Sequence, residues 1–275
     1  MTTVVLGGGG VAGIAWMTGV LAGLADNGQD LSGADDIIGT SAGSVVATQL
    51  RSGLSLEELF QRQADPAKQT AEIGVDVNME EYAAKLGTLL AGVTDPAEMR
   101  RRFARFALDA ETVEPARRRA VIADRLPSHE WPEQSLRIVA VEADTGEMRV
   151  FDKDSGVELV DAVAASCAVP GVWPAVEIDG RRYVDGGVRT ADNADLAEGA
   201  SRVVILVPLG TQPLWPSEVP FADVVAGLRA AGAEVTVIEP DEASKAAIGL
   251  NPLDPATRTP AANAGRAQGA RTVLS

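Results

Sequence analysis

Apolar residues in this chain follow two rhythms, and the change from one to the other marks out the elements. Residues 3–6 form a short apolar run of the kind found in a fully buried strand, ended by Gly7-Gly8-Gly9-Gly10. Ile14, Met17, Val20, Leu21 and Leu24 then recur at helical spacing. Residues 35–38 predict a second short strand. Gly39-Thr40-Ser41-Ala42-Gly43 is the turn after it, and 44–50 predicts a helix of small residues beneath. Strand, loop, helix, strand, loop, helix is the opening of a parallel α/β sheet.

The stretch 55–132 differs. It is helical in composition and holds seven arginines between Arg100 and Arg119, interleaved with Asp109, Glu111 and Glu114. Several amphipathic helices follow from that pattern. They can be read as an inserted cap or as ordinary surface helices. Strand patterns return at 136–143 and at 148–151, which can pair through the Asp144-Thr145-Gly146 turn. A helix follows at 157–167, and 176–178 with 182–184 reads as a hairpin around Asp179-Gly180. Residues 203–207 and 234–238 are further buried strands with a helix at about 221–231 between them. The Ala-rich tail from Pro252 predicts a helix ending near Gly269. With no internal repeat and no linker, the 275 residues read as a single α/β domain.

Composition narrows the partners. The chain is 46% hydrophobic and 23% charged, as globular proteins are. It has no apolar run of membrane-spanning length. A net charge of −15 repels phosphate backbones and anionic bilayers. That argues against nucleic acid as a partner and against avid binding to acidic membranes. The single cysteine, Cys167, excludes an internal disulfide. The N-terminal residues lack a basic region and run straight into a strand, which predicts no signal peptide and a cytoplasmic location. Nothing in the sequence sets an oligomeric state.

Three glycine-rich motifs carry the candidate chemistry. In Gly39-x-Ser41-x-Gly43 the chain must turn sharply from strand to helix, which presents the Ser41 hydroxyl above a helix N-terminus. In the loop 7–13, consecutive glycines let backbone amides point into one cavity, as an oxyanion hole or as a phosphate cradle. Gly8, Gly10 and Gly13 also fit G-x-G-x-x-G, but no acid stands at the end of the second strand to hold a ribose, which argues against NAD. Asp185-Gly186-Gly187 follows the strand 182–184; alone it is a common turn. The only histidine, His129, lies in a polar, proline-bounded loop. A Ser-His-Asp triad would depend on it, and a solvated surface position suits it better. One His and one Cys cannot build a usual zinc site.

Together these features resemble the patatin-like phospholipases: a Gly-rich loop after the first strand, a G-x-S-x-G elbow and a late D-G-G, in the family's order. The segment Ala165-Ser166-Cys167-Ala168-Val169-Pro170 resembles the family's small-residue segment before the Asp. The resemblance spans roughly residues 4–193, and 55–132 matches in position only. It implies a three-layer α/β/α sandwich with a mainly parallel sheet and a helical cap insertion at about 55–132. It implies a Ser-Asp dyad, with Ser41 as nucleophile and Asp185 as base, and backbone amides of Gly8, Gly9 and Gly10 holding the oxyanion. Gly13, Gly39, Gly43, Gly186 and Gly187 are then motif glycines. The substrate would be a lipid or other acyl ester, met with or without transient contact at a membrane surface, and neither cofactor nor metal would be needed.

Many members carry a basic residue just before the last Gly of the loop, where this chain has Ala12. An ordinary Asp, with a pKa near ~3.9, is a weak base at neutral pH, so a dry pocket must supply part of the activity. Val172, Trp173 and the apolar faces of 55–132 are candidates for the acyl pocket. Other readings are the same fold acting on a non-lipid ester or thioester, a nucleotide- or phosphate-binding regulator, and a catalytically silent scaffold. The intact Ser41 and Asp185 argue against the last.

Overall fold

In a computed structural model of the chain, which describes residues 1–74 and 77–274, the short apolar runs become strands of one sheet. They are β1 (Thr2–Leu6), β2 (Asp36–Thr40), β3 (Ser135–Glu142), β4 (Met148–Phe151), β5 (Val176–Ile178), β6 (Arg181–Asp185), β7 (Arg202–Leu206) and β8 (Glu234–Ile238). The helices are α1 (Gly10–Asp26), α2 (Ala42–Leu50), α3 (Leu56–Ala64), α4 (Met79–Leu89), α5 (Pro96–Asp109), α6 (Pro115–Arg125), α7 (Leu159–Ser166), α8 (Phe221–Ala230), α9 (Glu242–Ile248) and α10 (Arg258–Gly269). The α9 helix is the one the sequence pattern did not announce.

The strand order is β5-β6-β3-β2-β1-β7-β8, with β4 also on β3. The run β3-β2-β1-β7-β8 is parallel, while β4 and β6 lie antiparallel to β3, and β5 antiparallel to β6. Successive strand side chains point to opposite faces, so each buried strand feeds two cores. Val4, Leu6, Ile37, Ile138 and Val204 face α1, α2, α3, α7 and α10. Val5, Ile38, Val139, Val203 and Ile205 face α8 and the turn at 194–197. At the far end of that second face, Met99 and Phe103 of α5 pack on Val141 and Val184. The result is a three-layer α/β/α sandwich. Among the described residues no helix is long and apolar enough to cross a membrane.

The stretch 55–132 is part of the crossover from β2 to β3, and its helices divide their work. A capping box between Ser55 and Glu58 starts α3, which inserts Leu59 and Phe60 into the α1 side of the core. The α5 helix covers the opposite face. At the other end of the chain, α10 lies against α1 at backbone contact. A Cβ on Gly19 would stand 2.2 Å from Ala262 O, and one on Gly265 would stand 2.3 Å from Trp16 O. The C-terminal helix therefore clamps the helix that begins at the glycine loop.

Register explains how two distant motifs meet. Residues Ile138 to Val141 of β3 pair with β4 along one edge. The opposite edge is shared: Val139 pairs with Thr40, the last residue of β2, and Ala140 pairs with Asp185, the last residue of β6. Because β2 and β6 run in opposite directions on that edge, their C-terminal ends abut. Ser41 follows one and Asp185 ends the other.

Candidate active site

Ser41 sits at φ 53°, ψ −117°, a conformation few non-glycine residues adopt, and its surroundings hold it there. Its N–H donates to Ser166 Oγ at 2.9 Å, and that hydroxyl donates in turn to Val139 O at 2.6 Å. The Ser41 carbonyl accepts from Ser44 N at 2.9 Å, from Ser44 Oγ at 2.7 Å and from Cys167 Sγ at 3.2 Å. The small-residue segment seen in the sequence thus braces the elbow through Ser166 and Cys167. Burial pushes the Cys167 thiol up to about 11, so it stays a thiol. Gly43 serves close approach: a Cβ there would stand 1.9 Å from Leu6 O.

Asp185 is buried at 5% exposure. Its Oδ1 accepts from Gly187 N–H at 2.8 Å, while its Oδ2 has no hydrogen-bond partner among the described residues. Burial pushes the carboxyl up to about 7, against the opposing pull of the Ser41 hydroxyl, which lies close by but outside hydrogen-bonding geometry, of the Gly187 N–H and of the Arg118 charge. The carboxyl therefore titrates close to neutral pH rather than in the ordinary aspartate range. Asn193 ties the two strand ends together, donating from Nδ2 to Thr40 Oγ1 at 3.0 Å and to Gly186 O at 3.3 Å.

The glycine loop divides into committed and uncommitted amides. Gly8 N–H donates to Ala191 O at 2.7 Å, so in this conformation the Gly8 donor is not available to an oxyanion. Gly13 N–H donates to Gly9 O at 2.8 Å and Ala12 N–H to Pro252 O at 2.9 Å. The amides of Gly9 and Gly10 have no acceptor among the described residues. Gly10 begins α1 at φ +61°, where a side chain is strained, and a Cβ would stand 2.6 Å from Pro252 O. Ala42, the first residue of α2, offers a further amide with no acceptor among the described residues, one that sequence reasoning did not name.

Ser41, Asp185 and Gly8 to Gly10 all line one cavity of about 550 Å³. Its remaining wall is largely apolar, with Met79, Tyr82, Leu86, Phe103, Trp215 and Leu253. Phe103 and Trp215 meet edge to face at 5.1 Å. Tyr82 OH donates to Pro170 O at 2.8 Å, and burial holds its phenol well above the usual tyrosine range. Val172 and Trp173 are not on this cavity; they pack with Ile73, and the Arg118 guanidinium stacks 3.7 Å above the Trp173 ring. The acyl-pocket assignment of those two residues is corrected accordingly: bulk and polarity alone do not say which side of the nucleophile an aromatic ring takes. The wall comes instead from α4, α5 and the loops around 208–215 and 248–253. His129 is exposed, with Nε2 3.0 Å from Ala123 O, and is not on the cavity.

Arg118 escaped the sequence reading altogether. It is buried on α6 in one stripe with Ile122 and Arg125, and that i, i+4, i+7 spacing was the available signal.

A family model described as patatin-like phospholipase matches residues 4–198. Among solved structures, the chain is similar to VipD from Legionella pneumophila, at 14% identity and a TM-score of 0.40, over 77% of this chain and 50% of that one. It is similar also to the type III effector protein ExoU, at 15% identity and a TM-score of 0.40, over 98% of this chain and 53% of that one. The chain spans about half the length of either. No curated protein sequence matches it.

Proposed function

This chain belongs to the patatin-like phospholipase family, and on that premise we propose that it hydrolyses lipid acyl esters through a Ser41–Asp185 dyad. The observation that carries the reading is that Ser41, Asp185, Gly9 and Gly10 line one largely apolar cavity, with Asp185 Oδ2 and the Gly9 and Gly10 amides unpaired among the described residues. A volume of about 550 Å³ with few polar groups suits an acyl chain and falls within the range of ligand sites.

The Ser41 Oγ attacks the ester carbonyl as its proton passes to Asp185. The C=O electron pair moves onto oxygen, and the amides of Gly9 and Gly10 stabilise that charge. Collapse expels the alcohol, which takes the proton back from Asp185 and leaves an acyl-enzyme. Water then adds with Asp185 again as base, and the fatty acid leaves. Preformed donors in a dry site act without the reorganisation that water would need. Because α4 and α5 line the cavity, that part of the 55–132 insertion acts as the cap that selects the acyl chain. Non-lipid esters would fill such a wall poorly.

Incubation with a fluorophosphonate followed by peptide mapping tests the reading. The label is expected on Ser41, and Ser41→Ala is expected to abolish both labelling and ester hydrolysis. A label on another serine, or hydrolysis that survives the substitution, contradicts it.

A further inference from the structure

Two buried arginines sit seven residues apart on one face of α6, and among the described residues only Arg125 has a counter-ion bonded to it. Glu72 binds Arg125 through both oxygens, at 3.0 and 2.6 Å, and lies 3.8 Å from the buried Arg258. Arg258 is held further by Thr70 O at 2.7 Å. Arg118 is 5% exposed, and its Nη1 has no hydrogen-bond partner among the described residues. Its guanidinium rests on Trp173, and the charged or ionisable groups acting on it are Arg125, Cys167, Glu72 and Asp185. A buried cation with an open donor is costly unless an anion arrives to meet it.

The place for that anion is small and specific. Arg118, Trp173, Ser41, Ala42, Gly10 and Cys167 border a pocket of about 20 Å³. That is room for roughly one water-sized group, since about 10–15 Å³ is the minimum for a water. A phosphate or a carboxylate is too large for it. The N-termini of α1 and α2 both reach this pocket through Gly10 and Ala42, so their free amides and dipoles add to the positive field.

We infer that Arg118 is a side-chain member of the oxyanion hole, donating from Nη1 to the single oxygen that becomes charged when Ser41 Oγ adds to the ester carbon. The inference rests on the acyl-hydrolase reading above. In that step the Oγ–C bond forms, the C=O π pair moves onto oxygen, and the Ser41 proton goes to Asp185. The negative oxygen then lies between Arg118 and the α-helix amides, and it gives its charge back when the alcohol departs. The ground-state carbonyl is uncharged, so the Arg118 contribution grows in the transition state and should appear in kcat rather than in KM.

Steady-state kinetics of the wild type and Arg118→Met on a short-chain ester, across pH 5–10, test this. The alkaline plateau of kcat should fall roughly 100-fold in the variant. KM should change little, and added guanidinium ion should partly restore Arg118→Ala. A residue that only tuned Asp185 would move the midpoint of the profile upward and leave the plateau intact; that result overturns the inference. A second measurement needs no variant. In a crystal structure of the wild-type fluorophosphonate adduct at Ser41, the phosphonyl oxygen should lie about 2.7–3.2 Å from Arg118 Nη1. An oxygen held by backbone amides alone, with Arg118 still unpaired, overturns it. If the wild type neither turns over nor labels at Ser41, the hydrolase reading and this inference fall together. An active wild type matched by Arg118→Met removes only the role of Arg118.

Discussion

Behind Ser41 the molecule is closed, and in front of it the molecule is open. On the rear side, the Ser41 N–H and C=O are both bonded, Ser166 relays to Val139, and Gly43 presses its Cα against Leu6. Further back, α1 and α10 meet through glycines at backbone contact. On the front side, the amides of Gly9 and Gly10 and Oδ2 of Asp185 stand without partners among the described residues, and Nη1 of Arg118 is likewise unpaired beside the small pocket that Ser41 also borders. Folded proteins satisfy nearly all buried polar groups, and although Thr3 Oγ1, Gln49 Oε1 and Arg51 Nε are unpaired elsewhere, the exceptions near Ser41 are the ones that belong to cavity-lining residues, which is what the proposed function requires. The closed side fixes the hydroxyl, and the open side waits for charge.

That contrast can be broken from either side. The largest effect should come from the rear. Gly43→Ala puts a methyl 1.9 Å from Leu6 O, a backbone atom that cannot turn away. It should destabilise the fold by several kcal/mol or prevent folding, as severe overpacking does; an unchanged Tm would show that the elbow is not pressed against β1. The next effect belongs to the front. Gly10→Ala forces a side chain into φ +61° and against Pro252 O, and should lower kcat by about 10²–10³ as the loop amides shift.

Ser166→Ala returns to the rear. It leaves the Ser41 N–H and Val139 O unpaired, which should cost about 1–3 kcal/mol in urea unfolding, with a smaller loss of rate. The smallest effect should be that of Gly8→Ala. A Cβ there meets nothing nearer than 3.6 Å, and its amide is already bonded to Ala191. Less than about tenfold in kcat/KM is expected, against the 10²–10³ that loss of a true oxyanion donor costs. A loss equal to that of Gly10→Ala would show that Gly8, as the sequence suggests, does serve the oxyanion.

The strands were legible because this chain punctuates short apolar runs with glycine, and the Asp179-Gly180 hairpin because its turn chemistry is local. What escaped was tertiary. Gly19 and Gly23 give no sign in the sequence that Gly265 and Gly269 will face them. Which loop amide is spent on Ala191 depends on a carbonyl far along the chain. The pairing of Ser41 with Asp185 could be read only through a family resemblance. Its physical basis, two strand ends abutting on one edge of β3, needs the register. Arg118 looked like six other arginines between Arg100 and Arg119 because burial, not residue type, sets it apart. The raised pKa of Asp185 is hidden for the same reason, since desolvation causes it.

That raised pKa also changes how the base must be tested. A carboxylate titrating at about 7 gives the same rising limb of kcat/KM that a histidine would, so the midpoint alone does not separate them. Stability does help. A carboxyl raised above its unfolded value of 3.8 stabilises the fold below that pH, and the contribution is lost as pH rises through about 7. Asp185→Asn should therefore be at least as stable as the wild type at pH 8, with a gain on the order of a few kcal/mol at most. Its inactivity could not then be blamed on unfolding.

The decisive measurement is kcat/KM of Asp185→Asn and of His129→Ala on one short-chain ester at pH 8, with both variants shown to be folded. An amide in place of the Asp185 carboxylate cannot accept the Ser41 proton, so the first should lose about 10³-fold or more. The second should match the wild type, because His129 is exposed and away from the cavity. An inactive His129→Ala beside an active Asp185→Asn would contradict the dyad outright.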